Sequence, residues 1–174
     1  MKLQRTILFI IFFLSANWPQ ASFSGDRTVK LTIPLISEEI EEDSLEIEDL
    51  VDYAKNFIGV PYKFGGSTPQ GFDCSGFTQF VFKQFNYELP RSAAGQGMIG
   101  ETVAEDDLRP GDLVFFKGNR KSIKIGHVGM IVHVYGKGNF DFIHAYSPKK
   151  TGIIIQNINE RSQGYLFVRR IVSA

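Results

Sequence analysis

Among the 174 residues, one cysteine, Cys74, and three histidines, His127, His133 and His144, carry the side chains best suited to covalent chemistry. A lone thiol cannot close an internal disulfide or build a zinc site that needs two or more cysteines. It is then either a nucleophile or an inert buried group. The thiolate is the reactive form, and an unperturbed thiol with a pKa of about 8.5 is only slightly ionised at neutral pH. At the first turn of a helix it would face unsatisfied backbone N–H groups, a gain of roughly 0.3–1 kcal/mol. Lowering its pKa to about 4 takes roughly 6 kcal/mol, so an imidazolium is expected to supply most of the shift, as in a cysteine–histidine ion pair.

His127 sits in Gly126-His127-Val128-Gly129, where small neighbours leave room beside a strand, and His144 sits on the following strand in Phe142-Ile143-His144-Ala145. A hairpin that pairs Val134 with Asn139 puts His144 opposite Gly129, on the same face as His127 and two residues along. Pairing Val134 with Phe140 instead would put the two rings on opposite faces, so the arrangement requires the shorter loop or a bulge. In this reading His127 is the base that ionises Cys74 and later protonates the leaving amine. His144 holds the far nitrogen of His127 and fixes its tautomer. His133 lies six residues from His127, about 20 Å along a strand, and receives no catalytic role. The spacing of the three histidines matches no compact zinc motif, and no metal or other cofactor is expected.

These residues need elements to position them. Ile47, Leu50, Val51, Ala54, Phe57 and Ile58 recur at helical spacing, predicting a helix from Asp43 or Ser44 that Gly59 and Pro61 stop. Tyr62 to Asp73 is rich in Gly, Ser and Pro and reads as an irregular loop. A second helix begins at about Cys74, burying Phe77, Phe80, Val81 and Phe85. Runs of β-rich residues follow at 112–116, 127–134, 140–145, 153–156 and 165–171. Helices first and strands last predict an α+β fold with helices packed on a mainly antiparallel sheet of five to six strands.

The composition, 43% hydrophobic and 22% charged, suits a globular domain with its own core. Lys+Arg 19 balance Asp+Glu 19, so nothing in the net charge points to nucleic acid. Lys2 and Arg5, the apolar run Ile7 to Leu14 and the small residues up to Ser24 follow the order of a secretory signal over 1–24, and export to the periplasm or the cell exterior is expected. An acidic arm over 25–45 then leads into the catalytic domain, 46–174. Glu38 to Asp52 holds nine acids and no base. That run reads as a solvated helix face, with an autoinhibitory arm or attraction to an anionic polymer as the sharper alternatives.

The stretches Gly59-Val60-Pro61-Tyr62-Lys63-Phe64-Gly65-Gly66, Phe72-Asp73-Cys74-Ser75-Gly76-Phe77, Leu89-Pro90-Arg91-Ser92, Leu108-Arg109-Pro110-Gly111-Asp112-Leu113, Gly126-His127-Val128-Gly129 and Phe142-Ile143-His144-Ala145 together resemble the NlpC family of papain-like cell-wall cysteine peptidases. They occur in that family's order. The resemblance implies a papain-like fold and hydrolysis of amide bonds in peptidoglycan stem peptides or crossbridges, with Cys74 as nucleophile, His127 as base and His144 as third polar residue. It also places Tyr62, Asp73 and Ser75 on the substrate site. Tyr62 could donate a hydrogen bond near a developing oxyanion, Asp73 could hold an ammonium group of a stem peptide, and Ser75 offers a hydroxyl or N–H. The stretch outside the domain is expected to be too short for a wall-binding module, so recognition is expected to fall to the domain itself or to a regulatory or wall-targeting protein partner. The alternatives are an inactive wall-binding module and an acyltransferase or amidase working through the same thioester.

Overall fold

The computed structural model describes residues 36–118, 123–146, 151–161 and 164–172, with side chains from residue 46 onward. The expected leader, 1–24, and residues 25–35 of the expected arm lie outside the described residues.

Helix α1 spans Ile36–Lys55. It starts seven or eight residues before the expected Asp43 or Ser44. The Glu-rich stretch between Pro34 and Ser44 contains no Gly or Pro, and glutamate is a good helix former, so the helix needs no apolar face to extend backwards. The chain leaves it by tightening: Asn56, Phe57 and Ile58 donate to carbonyls three residues back, and Gly59 turns at φ 89.

Two short strands, β1 (Ser67–Thr68) and β2 (Gly71–Phe72), form a small hairpin inside the stretch expected to be irregular. Helix α2 (Cys74–Gln84) follows directly, and then the single turn α3 (Ala93–Gln96). The remaining chain makes β3 (Glu101–Val103), β4 (Leu113–Lys117), β5 (Ile125–Gly136), β6 (Asn139–Tyr146), β7 (Gly152–Asn157) and β8 (Tyr165–Arg170), with a 3-10 turn at Ile158–Glu160. They form one antiparallel six-stranded sheet in the order β3-β8-β4-β5-β6-β7. Five of these strands are the β-rich runs of the sequence. The sixth, β3, is a three-residue edge strand too short for alternation to mark it.

Strand parity divides the core. Leu113, Phe115, Val128, Met130, Ile143 and Ala145 pack with Leu50, Ala54, Phe77 and Val81 of the helices. Val114, Phe116, Ile131, Phe140, Phe142 and Val168 gather into a second cluster, together with Ile158 from the 3-10 turn. Each central strand is therefore apolar on both faces, which is why these segments read as continuous apolar runs.

Candidate active site

Cys74 is the first residue of α2 and stands partly buried. Asp73 caps that helix, its Oδ1 accepting from the Gly76 N–H at 2.7 Å. Gly76 admits the close approach of the loop that carries Tyr62: a Cβ there would lie 2.1 Å from the Gly66 oxygen. Gln96 is fully buried and ties the first turn of α2 to α3, donating to the carbonyls of Ser75 and Pro90 and accepting from the Thr78 hydroxyl. These contacts hold the Cys74 end of α2 against an open cleft of about 360 Å³. Tyr62, Asp73, Cys74, Ser75 and Arg91 are among its walls, as is Phe64, which is 91% exposed.

The two histidines meet as the sequence requires, though by a different register from the one expected. The β5–β6 hairpin turns through Lys137-Gly138, pairing Gly136 with Asn139 and Val134 with Phe140, not Val134 with Asn139. Two bulges correct the phase. After the second, at Val132, Ile131 pairs with Phe142 and Met130 with Ile143, which returns His144 to the face of His127. His127 Nε2 and His144 Nδ1 lie 2.8 Å apart with the rings nearly perpendicular, at 82°. Phe116 and Phe142 flank the pair. His133 is exposed, opposite Asp141 and against Tyr135, away from this arrangement.

The charge states differ from the sequence expectation. Burial pushes the Cys74 thiol above its ordinary pKa, and the N–H of Val128, the residue after His127, opposes that rise. The negative charge of Asp73 adds to it. Burial holds His127 well below the usual imidazole value, with the charges of His144 and Arg161 pushing the same way. It takes His144 down to about 3, again with Arg161 contributing. The resting site therefore favours a neutral thiol beside neutral imidazoles and not the thiolate–imidazolium pair, because desolvation penalises both charged forms at once.

Asp73 is also occupied differently from expectation. Its carboxylate accepts from the Gly65 and Gly76 N–H groups and from both terminal nitrogens of Arg91, at 3.0 and 2.7 Å, while the Ser75 hydroxyl stands 3.4 Å away. Little of it is left to hold an ammonium group. Arg91 also donates to the Ser75 hydroxyl, so these three residues form one connected network on the cleft wall. Ser92 caps α3.

Two further residues near the histidines carried no sequence signal. Arg161, just after the 3-10 turn, lies over the rings of Phe116 and Tyr146. Gln156 on β7 pairs with Phe142 and so shares the face of His144. The buried atoms His144 Nε2 and Gln156 Oε1 both lack a hydrogen-bond partner. Among the described residues no group of three or more potential ligands could hold a metal.

A cysteine at a helix tip, beside strands that carry two histidines in contact on an antiparallel sheet, defines a papain-like domain. The chain belongs to the NlpC/P60 family, whose model matches residues 59–171. It is 39% identical over 127 residues to "Murein DD-endopeptidase MepS/Murein LD-carboxypeptidase" of Escherichia coli strain K12, covering 71% of this chain and 62% of that protein. It is 48% identical over 93 residues to "Gamma-DL-glutamyl hydrolase" of Bacillus subtilis strain 168, covering 52% of this chain and 22% of that protein. Its fold matches an NlpC/P60 family protein from Bacillus cereus with a TM-score of 0.65 and 31% identity, over 73% of this chain and 40% of that one. The alignments thus span less than two thirds of the length of these relatives.

Proposed function

We propose that this chain is a cysteine peptidase that cuts amide bonds in peptidoglycan stem peptides or their crossbridges through a thioester acyl-enzyme. The observation that carries the reading is the 2.8 Å contact between His127 and His144 on strands beside the helix that begins at Cys74. With Nε2 of His127 engaged by His144, its Nδ1 remains for the proton of the Cys74 thiol. Because the resting groups are neutral, that proton moves as the sulfur attacks the carbonyl carbon, and the negative charge passes to the carbonyl oxygen. The N–H groups at the start of α2 and the Tyr62 hydroxyl are the donors assigned to that oxygen. Protonated His127 then gives its proton to the leaving amine, and water, deprotonated by the same nitrogen, hydrolyses the thioester.

Ser75 presents its hydroxyl to the substrate, and Asp73 acts through Ser75 and Arg91, which it holds in place. The relatives' names, a murein endopeptidase and a γ-glutamyl hydrolase, support a substrate with γ-linked or cross-linking amides. The order of charge, apolar run and small residues over 1–24 supports export, which would bring the enzyme to the cell wall. Digestion of purified peptidoglycan should release new stem-peptide termini detectable by mass spectrometry, and Cys74→Ala should abolish them while still binding the polymer. Equal digestion by the alanine variant would refute the assignment.

A further inference from the structure

Arg161 is a half-buried cation beside the histidine pair whose charge the proposed mechanism does not use. Its guanidinium carbon lies 5.2 Å from the centroid of the Phe116 ring and 5.8 Å from that of Tyr146. Phe116 is 5.9 Å from His127, and Tyr146 is 5.5 Å from His144. Among the described residues no Asp or Glu pairs with it, and the neighbouring chain segments 147–150 and 162–163 contain no acid. This sets it apart from Arg91, Arg109 and Arg170, each of which pairs with a carboxylate. Stacking on two rings restrains the side chain but leaves the planar fork of N–H donors for an incoming anion.

We propose that Arg161 is a subsite for a substrate carboxylate that is not part of the bond being cut. This deepens the peptidase reading and rests on it. The chemistry of the substrate class fits, since a glutamyl residue linked through its γ-carboxyl keeps its α-carboxyl as a free anion, and a peptide C-terminus is another. A guanidinium fork meets a carboxylate with two parallel, charge-assisted hydrogen bonds. A primary amide of the same shape cannot accept them with charge.

The test uses matched stem peptides, with each free carboxylate converted in turn to the primary amide, and compares kcat/KM for acid and amide. Wild-type protein should prefer one acid over its amide by roughly tenfold, which identifies the carboxylate recognised. Arg161→Met should bring that ratio close to one, and Arg161→Lys should keep part of it by retaining the charge. Loss of folding alone would lower both rates and leave the ratio in place. A wild-type ratio near one for every pair, or a preference that survives in Arg161→Met, would overturn the subsite while leaving the peptidase intact. If wild-type protein cleaved no peptide, acid or amide, the peptidase reading would fall and the subsite with it.

A second inference rests on a separate observation: His144 Nε2 and Gln156 Oε1 are both buried without a formed hydrogen bond, yet Gln156 is near enough to favour the protonated His144 ring. If His127 Nε2–H donates to His144 Nδ1, His144 carries its own proton on Nε2, and Gln156 Oε1 is the unsatisfied acceptor on the same face. We infer that these two close into a hydrogen bond in the working site, making Gln156 a positioning residue that fixes the tautomer of both imidazoles. Gln156→Leu should lower kcat about tenfold with KM little changed, and should shift the His144 imidazole nitrogen signals in NMR. Gln156→Glu should restore the tautomer and move the acid limb of the rate profile upward, because a carboxylate favours imidazolium. Unchanged nitrogen signals and unchanged kcat in Gln156→Leu would remove Gln156 from the relay.

Discussion

A nucleophile's residue type is visible in a sequence, but its charge is not. Cys74, His127 and His144 stand out by rarity, by small neighbours and by spacing, but burial, a property of the packed molecule, pushes their pKa values against the ionisation expected of them. The raised thiol and the two depressed imidazoles make a direct prediction. Alkylation of free enzyme by iodoacetamide should be slow near pH 6 and should accelerate with pH up to and beyond the ordinary thiol range. A rate already at its plateau by pH 6 would restore the ion pair. Peptide cleavage should behave differently, because the proton transfer needs only that His127 be neutral. With its pKa held well below 6.5, the acid limb of kcat/KM should fall well below that value, and a limb centred near 6.5 would contradict the buried pair.

Elements place these residues to within a fraction of an ångström, and here the sequence was legible only in outline. It indicated that the histidines must share a face and that a bulge would be needed if Val134 paired with Phe140. It did not reveal where the bulge lies, because Ile131, Val132 and His133 fit either phase of the strand. Gly129 shows how little slack remains after the correction. A Cβ there would lie 2.7 Å from Phe142 Cδ2 and 3.1 Å from both His144 Cβ and the Ile143 oxygen. Gly129→Ala should cost about 1–3 kcal/mol in denaturant unfolding. It should also depress kcat more than that loss alone implies, since the Phe142 ring it pushes packs on His144 and the added Cβ also crowds His144 itself. Wild-type kcat in a destabilised Gly129→Ala protein would mean that the pair tolerates movement. The early start of α1 illustrates the opposite limit, since helix propensity without apolar periodicity left that boundary unmarked.

Across the whole molecule, an ionic contact ties the β3 side of the sheet to its centre. Asp112, 2% exposed, accepts from Arg170 through both carboxylate oxygens at 2.9 Å and from the Arg109 N–H, also at 2.9 Å. The pairing links the turn before β4 to β8, which in turn holds β3, and Asp112 also accepts the Ile131 N–H through its backbone carbonyl. Without Asp112, Arg170 keeps only the exposed Asp107, at 3.3 Å, and the Arg109 N–H loses its acceptor, so Asp112→Ala should lose about 1–3 kcal/mol of stability. The folded fraction should keep its activity, because this pair touches none of the proposed catalytic groups. A loss below 1 kcal/mol would mean that Asp107 alone suffices for Arg170 once the Asp112 carboxylate is gone.

The histidine pair adds a pH dependence that belongs to the fold as a whole and not to catalysis. Both imidazoles are neutral in the folded protein, His144 with a pKa of about 3, while in the unfolded chain each binds a proton below about 6.5. The unfolded state therefore gains protons first as pH falls, and the stability these groups contribute is fully present above 6.5. It declines through the acid range until their folded pKa values are reached. The slope for each histidine approaches about 1.4 kcal/mol per pH unit, additive while both remain neutral in the fold. Urea unfolding at pH 7.5, 6.0 and 4.5 should show a fall that steepens below 6.5, and His144→Gln, which keeps a hydrogen-bonding group but cannot titrate, should halve its slope. A stability curve flat across that interval would require imidazoles already charged inside the folded protein, which would in turn reinstate the thiolate that burial disfavours.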